Sequence, residues 1–113
     1  MTIFKTPLHP GEILLEEFLV PLEMSAGQLA KALDVPRTRI ERIVREEMGI
    51  SADTALRLAR YFGTSPELWL NLQQRYELAV GAAAMSKTLA AIQPRTGANE
   101  NSETATSPRR TAR

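Results

Sequence analysis

The sequence predicts an all-α domain of five helices with a C-terminal extension, on three observations. Apolar residues recur at helical spacing in several separate stretches, capping residues precede most of them, and no alternating strand pattern of useful length occurs. At 113 residues and 43% hydrophobic, the chain can bury one modest core, and residues 1–93 are expected to form it. A short segment around Ile3 and Phe4 is left without an assignment.

The first helix is expected from about Pro10 to Val20, with Leu14, Leu15, Phe18 and Leu19 on its buried side and Pro21 interrupting it. Ser25 then stands as a helix cap, with Gln28 three residues on where a capping box places its reciprocal acceptor. Leu29, Ala30 and Leu33 make the apolar stripe of this second helix; the alanine leaves room for a steeply crossing neighbour. Asp34 suits a tight turn because aspartate tolerates a left-handed backbone. The third helix is expected from about Pro36 to Glu46, Pro36 being its first residue. Ser51 caps a fourth helix with Ala55, Leu58, Ala59 and Phe62 on one side, and Gly63 ends it. Thr64 and Glu67 read as a second capping box, Pro66 as a first-turn residue, and Trp69, Leu72 and Tyr76 as one side of a fifth helix. The alanine-rich run from Leu78 to Ile92 allows that helix to continue through Gly81, at about 1 kcal/mol for the glycine.

The second and third helices together read as a DNA-binding helix-turn-helix. At about 100° per residue, Ile40, Ile43 and Val44 share the packed face of the third helix, and Thr38, Arg42 and Arg45 lie opposite, flanked by Arg37 and Arg39. Arginine can fork onto the two acceptors of guanine and a hydroxyl can serve several bases, as a helix in the major groove requires. The candidate DNA-binding residues are therefore Gln28, Arg37, Thr38, Arg39, Arg42 and Arg45. The same helix also carries potential i,i+4 ion pairs, Arg37–Glu41, Glu41–Arg45 and Arg42–Glu46, of the kind that lace ordinary solvated helices.

Three segments in order, HPGEILLEEFLVPLE, LAKALDVPRTRIERIV and GISADTALRLARYFGTSPELWLNLQQRYEL, resemble HigA-type antitoxins, the plasmid-maintenance antidote proteins of the Cro and phage-repressor-like helix-turn-helix group. The resemblance covers roughly residues 5 to 80 and implies a five-helix lambda-repressor-like domain. It also implies a cytoplasmic bacterial or plasmid-borne protein that binds a cognate HigB-type toxin and represses the operon encoding both. A stand-alone helix-turn-helix regulator is the alternative role for the same fold. The chain departs from the family pattern at Ala26, where relatives commonly carry a phosphate-contacting glutamine, at Asp34 in place of the turn glycine, and at Glu46 and Glu47 after the arginine helix. Two carboxylates beside a phosphate backbone would repel it.

Composition narrows the remaining classes. Cysteine is absent, so no disulfide or thiolate metal site is available. One histidine, His9, placed at a helix start, and adjacent glutamates that diverge around a helix offer no catalytic set, metal site or cofactor site. No signal peptide or membrane-length apolar run is visible, and a soluble intracellular protein is expected. The formal net charge is only +1. Residues 94–113 hold four arginines and two glutamates, so the first 93 carry 10 basic and 11 acidic side chains, and any attraction to DNA must be local. This terminal segment, 94–113, is expected to be a disordered tail, since its Thr, Ser, Asn, Gly, Pro and Arg cannot bury enough surface. A single module touches few base pairs, so a homodimer on a palindromic double-stranded operator is expected, with half-sites roughly 34 Å apart. Trp69, Leu70, Leu72 and Tyr76 are candidates for core or interface.

Overall fold

A computed structural model describes residues 8–95, all helical or in connections, which fall into two compact units dividing after Gly81. The expectations for Ile3 and Phe4, and for the tail beyond Arg95, lie outside the described residues.

Helix α1 is continuous from Pro10 to Leu22, in three stretches: α-helical Pro10–Ile13, π-helical Leu14–Leu19 and α-helical Val20–Leu22. His9 starts it, its Nδ1 accepting the Gly11 amide at 2.8 Å. Pro21 does not interrupt the helix as the sequence predicts. The Val20 amide bonds back five residues to Leu15, and this wider turn gives a proline ring the room that the carbonyl of the preceding turn normally denies it. α1 ends instead at Glu23, whose φ is 54°.

The next two helices are each eight residues long, α2 over Ala26–Leu33 and α3 over Arg37–Val44. The Ser25 capping box forms in both directions, Ser25 Oγ accepting the Gln28 amide at 3.0 Å and Gln28 Oε1 accepting the Ser25 amide at 2.8 Å. Asp34 occupies the turn at φ 60°. Pro36 is extended and lies just outside α3, and α3 stops short of the predicted Glu46. There the Glu46 amide bonds to the Ile43 carbonyl and the Glu47 amide to that of Arg42, a Schellman closure that puts Glu46 at φ 63°.

Helix α4 spans Ala52–Phe62, capped by Ser51 and ended by Gly63 at φ 74°, as the sequence predicts. α5 runs over Pro66–Ala84, through Gly81, and a short α6 covers Ser86–Ala91 in the second unit. The cap of α5 is Ser65, whose Oγ accepts the Leu68 amide at 3.1 Å. Thr64, read from the sequence as that cap, instead accepts the Trp69 indole N–H at 2.9 Å.

The core of the first unit gathers one stripe from each of its helices: Leu14 and Leu19, Leu29 and Leu33, Ile40 and Ile43, Leu58, and Trp69. Each such side chain contributes about 1.5–3 kcal/mol of transfer free energy when fully buried. Trp69 is fully buried, with Phe18 and Phe62 rings tilted against it at 5.1 and 6.4 Å, which assigns it to the core.

Candidate nucleic-acid interface

The interface is built by making α2 a firm base and laying α3 across it. Leu29, Ala30 and Leu33 are buried on α2, and Ile40 and Ile43 are buried on α3, so the apolar faces of the two helices are spent on the core. From the other side, Gly11 at the start of α1 comes so close to the end of α3 that a Cβ there would stand 1.8 Å from the Ile43 carbonyl oxygen. Only glycine permits that approach.

A second set of contacts comes from α4. Arg57 Nη1 donates to the carbonyls of Leu33 at 2.8 Å and Asp34 at 3.2 Å, occupying acceptors that the end of α2 leaves open. Its Nε donates to Asp53 Oδ2 at 3.0 Å. Arg39 Nη1 also reaches that oxygen and lies 3.4 Å from Thr54 Oγ1. The two guanidinium groups hold the Asp53 carboxyl below its ordinary value, the hydrogen bond from Arg39 being the largest single cause.

The six candidate DNA-binding residues divide by what they already touch. Thr38 and Arg42 are exposed along one face of α3 and Arg45 is exposed at its C-cap, and neither arginine has a carboxylate within 4.0 Å among the described residues. The expected Glu41–Arg45 and Arg42–Glu46 pairs do not form among those residues. Arg37 is exposed but paired with Glu41 at 3.3 Å. Arg39 is partly buried and held by Asp53. Gln28 is exposed; its Oε1 serves the capping box, leaving its amide NH2 free to donate outward. Glu46 and Glu47 stand exposed just past the end of α3.

Sequence reasoning missed Gly11, Asp53 and Arg57. The close approach of Gly11 to α3 and the long reach of Arg57, 24 residues from Leu33, leave no local periodicity to read.

His9 is buried, and burial holds its imidazole below the ordinary value of 6.5, opposed by the Glu46 carboxylate, which raises it. Its ring meets Tyr76 edge-on at 4.8 Å. The described residues contain no group of three or more His, Cys, Asp or Glu arranged to hold a metal ion, and no helix among them is long and apolar enough to cross a membrane.

A helix-turn-helix family model matches residues 15–69. The chain is 61% identical over 71 residues to virulence-associated protein I of Dichelobacter nodosus, a match covering 63% of this chain and 66% of that relative. The chain thus spans about two thirds of that relative's length. Among solved structures it resembles the Pseudomonas aeruginosa antitoxin HigA with the higBA promoter, at 50% identity and TM-score 0.76, over 78% of this chain and 97% of that one. It also resembles an addiction module antidote protein of the HigA family from Coxiella burnetii, at 46% identity and TM-score 0.75, over 80% and 99%. With the helix-turn-helix geometry above, these likenesses establish that the chain belongs to the HigA family of helix-turn-helix antitoxins.

Proposed function

We infer that this chain is the antitoxin of a type II toxin-antitoxin pair, neutralising its cognate HigB-type toxin and repressing its own operon by sequence-specific binding of operator DNA. The observation that carries this reading is the outward row of Thr38 and Arg42 on the second helix of the motif and Arg45 at its C-cap, with both arginines free of carboxylates among the described residues. The Pseudomonas aeruginosa relative, half identical in sequence, was solved with its promoter.

In this reading α3 enters the major groove, Thr38, Arg42 and Arg45 face base edges, and Arg37 and Gln28 reach phosphates. Arg39, already engaged by Asp53, acts nearer the phosphate backbone than the bases. Two copies bind a palindromic operator, because one short helix reads too few base pairs for useful discrimination. Leu68 and Leu78, exposed on α5 beside Leu72 and Arg75, offer an apolar face for the second copy.

The test is binding of the full chain to its own promoter fragment and to scrambled DNA at two salt concentrations, with and without the product of the adjacent gene. Preferential, salt-sensitive binding altered by that product is expected. Preference unaffected by the product would assign a stand-alone regulator, and no preference under either condition would overturn the reading of α3.

A further inference from the structure

The outward face of α3 is poorly equipped to set its own direction. Its N-cap is Pro36, which supplies no side-chain hydrogen bond, and the outward Thr38, Arg42 and Arg45 have no described carboxylate or capping partner. Its first turn is tied instead to α4 through Arg39, which reaches one Asp53 carboxylate oxygen and, at 3.4 Å, the Thr54 hydroxyl. Asp53 Oδ2 accepts from Arg39 Nη1 on α3 and, at 3.0 Å, from Arg57 Nε on α4. The same Arg57 holds the Leu33 and Asp34 carbonyls at 2.8 and 3.2 Å. A continuous path of hydrogen bonds therefore runs from the last carbonyls of α2, through Arg57 and Asp53, to the first turn of α3. It spans the turn without using any of the turn's own side chains.

This path is poorly placed to be a stabilising device. The Asp53 side chain is 54% exposed, and ion pairs open to water contribute little to folding. Its geometry is nevertheless specific: a planar guanidinium fork fixes both distance and angle at its acceptors, which an ammonium does not. That distinction matters for one kind of DNA contact. Hydrogen bonds to base edges weaken steeply with misalignment, whereas attraction to phosphates varies slowly with distance.

We propose that Arg57 and Asp53 are positioning residues for sequence readout, clamping the turn to the first turn of α3 so that Thr38, Arg42 and Arg45 meet base edges at a fixed angle. The proposal rests on the operator-binding reading given above. Neither residue touches DNA; both act through Arg39 and the turn carbonyls.

Arg57→Lys isolates geometry from charge, because it keeps the cation and removes the fork. Binding to the chain's own promoter fragment should weaken about tenfold, while binding to scrambled DNA at the same salt changes by no more than about twofold. Asp53→Asn should reproduce the loss of preference, and the melting temperature of each variant should stay near that of the parent. Equal losses on both DNAs, or no loss on either, would overturn the proposal. Amide hydrogen exchange on the free protein gives a readout independent of DNA: in both variants, exchange at the hydrogen-bonded amides of Val35 and Arg39 should accelerate while that of Leu29 and Ile43 stays unchanged. Should the parent show no operator preference, the functional reading fails by itself. The exchange result then decides the clamp, acceleration confined to the turn and first turn of α3 supporting it and unchanged exchange there refuting it.

Discussion

Helices α2 and α3 have the same length, eight residues, and differ in how their starts are held. α2 is specified locally at its start, where Ser25 and Gln28 cap it reciprocally, and its stripe of Leu29, Ala30 and Leu33 is buried; Asp34 closes its end, with Arg57 of α4 on the last carbonyls. α3 lacks a side-chain cap and is held by contacts from elsewhere, Gly11 of α1 against its end and Asp53 of α4 on its first turn. The difference follows from what α3 has to offer. A helix whose exposed face is reserved for a ligand has few side chains left to stabilise itself, so its neighbours in the fold must do so.

Gly11→Ala should break this arrangement most severely. The new Cβ meets backbone rather than a movable side chain, and α1 must retreat from α3. Overpacking of this kind is expected to destabilise the protein by about 3 kcal/mol, readable as a lowered midpoint in urea. Arg42→Ala, by contrast, should leave the midpoint almost unmoved and weaken operator binding by about 1–3 kcal/mol if that guanidinium reads a base; titration at matched salt checks it.

Ser25→Ala removes the local support of α2 and should cost about 1 kcal/mol of stability, less than the Gly11 change, so that their order in a denaturant series measures how far α3 depends on distant contacts. Glu46→Gly should act in the opposite direction. It relieves a left-handed residue at the end of α3, for a gain of about 0.5–1 kcal/mol, and removes a negative charge there. Tighter binding to scrambled as well as promoter DNA should accompany the gain.

The smallest effect concerns pH. His9 is held below 6.5 by burial, so as the pH falls below 6.5 the unfolded chain takes up a proton before the folded one does. The stability that His9 contributes is complete above 6.5 and is lost as the pH falls through the depressed folded value. Asp53, also lowered, contributes stability present above the ordinary carboxylate value and lost in still more acidic solution. Melting temperatures measured between about pH 7.5 and 5.5 should therefore decline modestly, and replacing His9 with Gln should remove the decline over that interval.

Features set by neighbours in the chain were legible in the sequence. The Ser25–Gln28 box, the Asp34 turn, the Ser51 cap and the Gly63 stop each depend on residues within a few positions, and each forms as read. The outward face of α3 was legible for the same reason, since helical angles alone separate Ile40 and Ile43 from Thr38 and Arg42. Other features depended on competition or distance. Thr64 was read as the cap of α5, but Trp69 takes its hydroxyl and the neighbouring Ser65 caps the helix. Pro21 signalled a break that the π-helical stretch before it avoids. Arg39 looked like any other arginine of its helix until Asp53, 14 residues away, was brought beside it.

The central claim is that α3 reads bases in the major groove through its outward face. Methylation interference on the chain's own promoter fragment tests it most directly, because a methyl on guanine N7 blocks that groove while leaving the phosphates intact. The account predicts that methylation of particular guanines, repeated in two half-sites, abolishes binding, and that Arg42→Ala loses sensitivity at one guanine in each. Binding that persists whichever guanines are methylated would contradict it and reduce the arginine face to a phosphate contact.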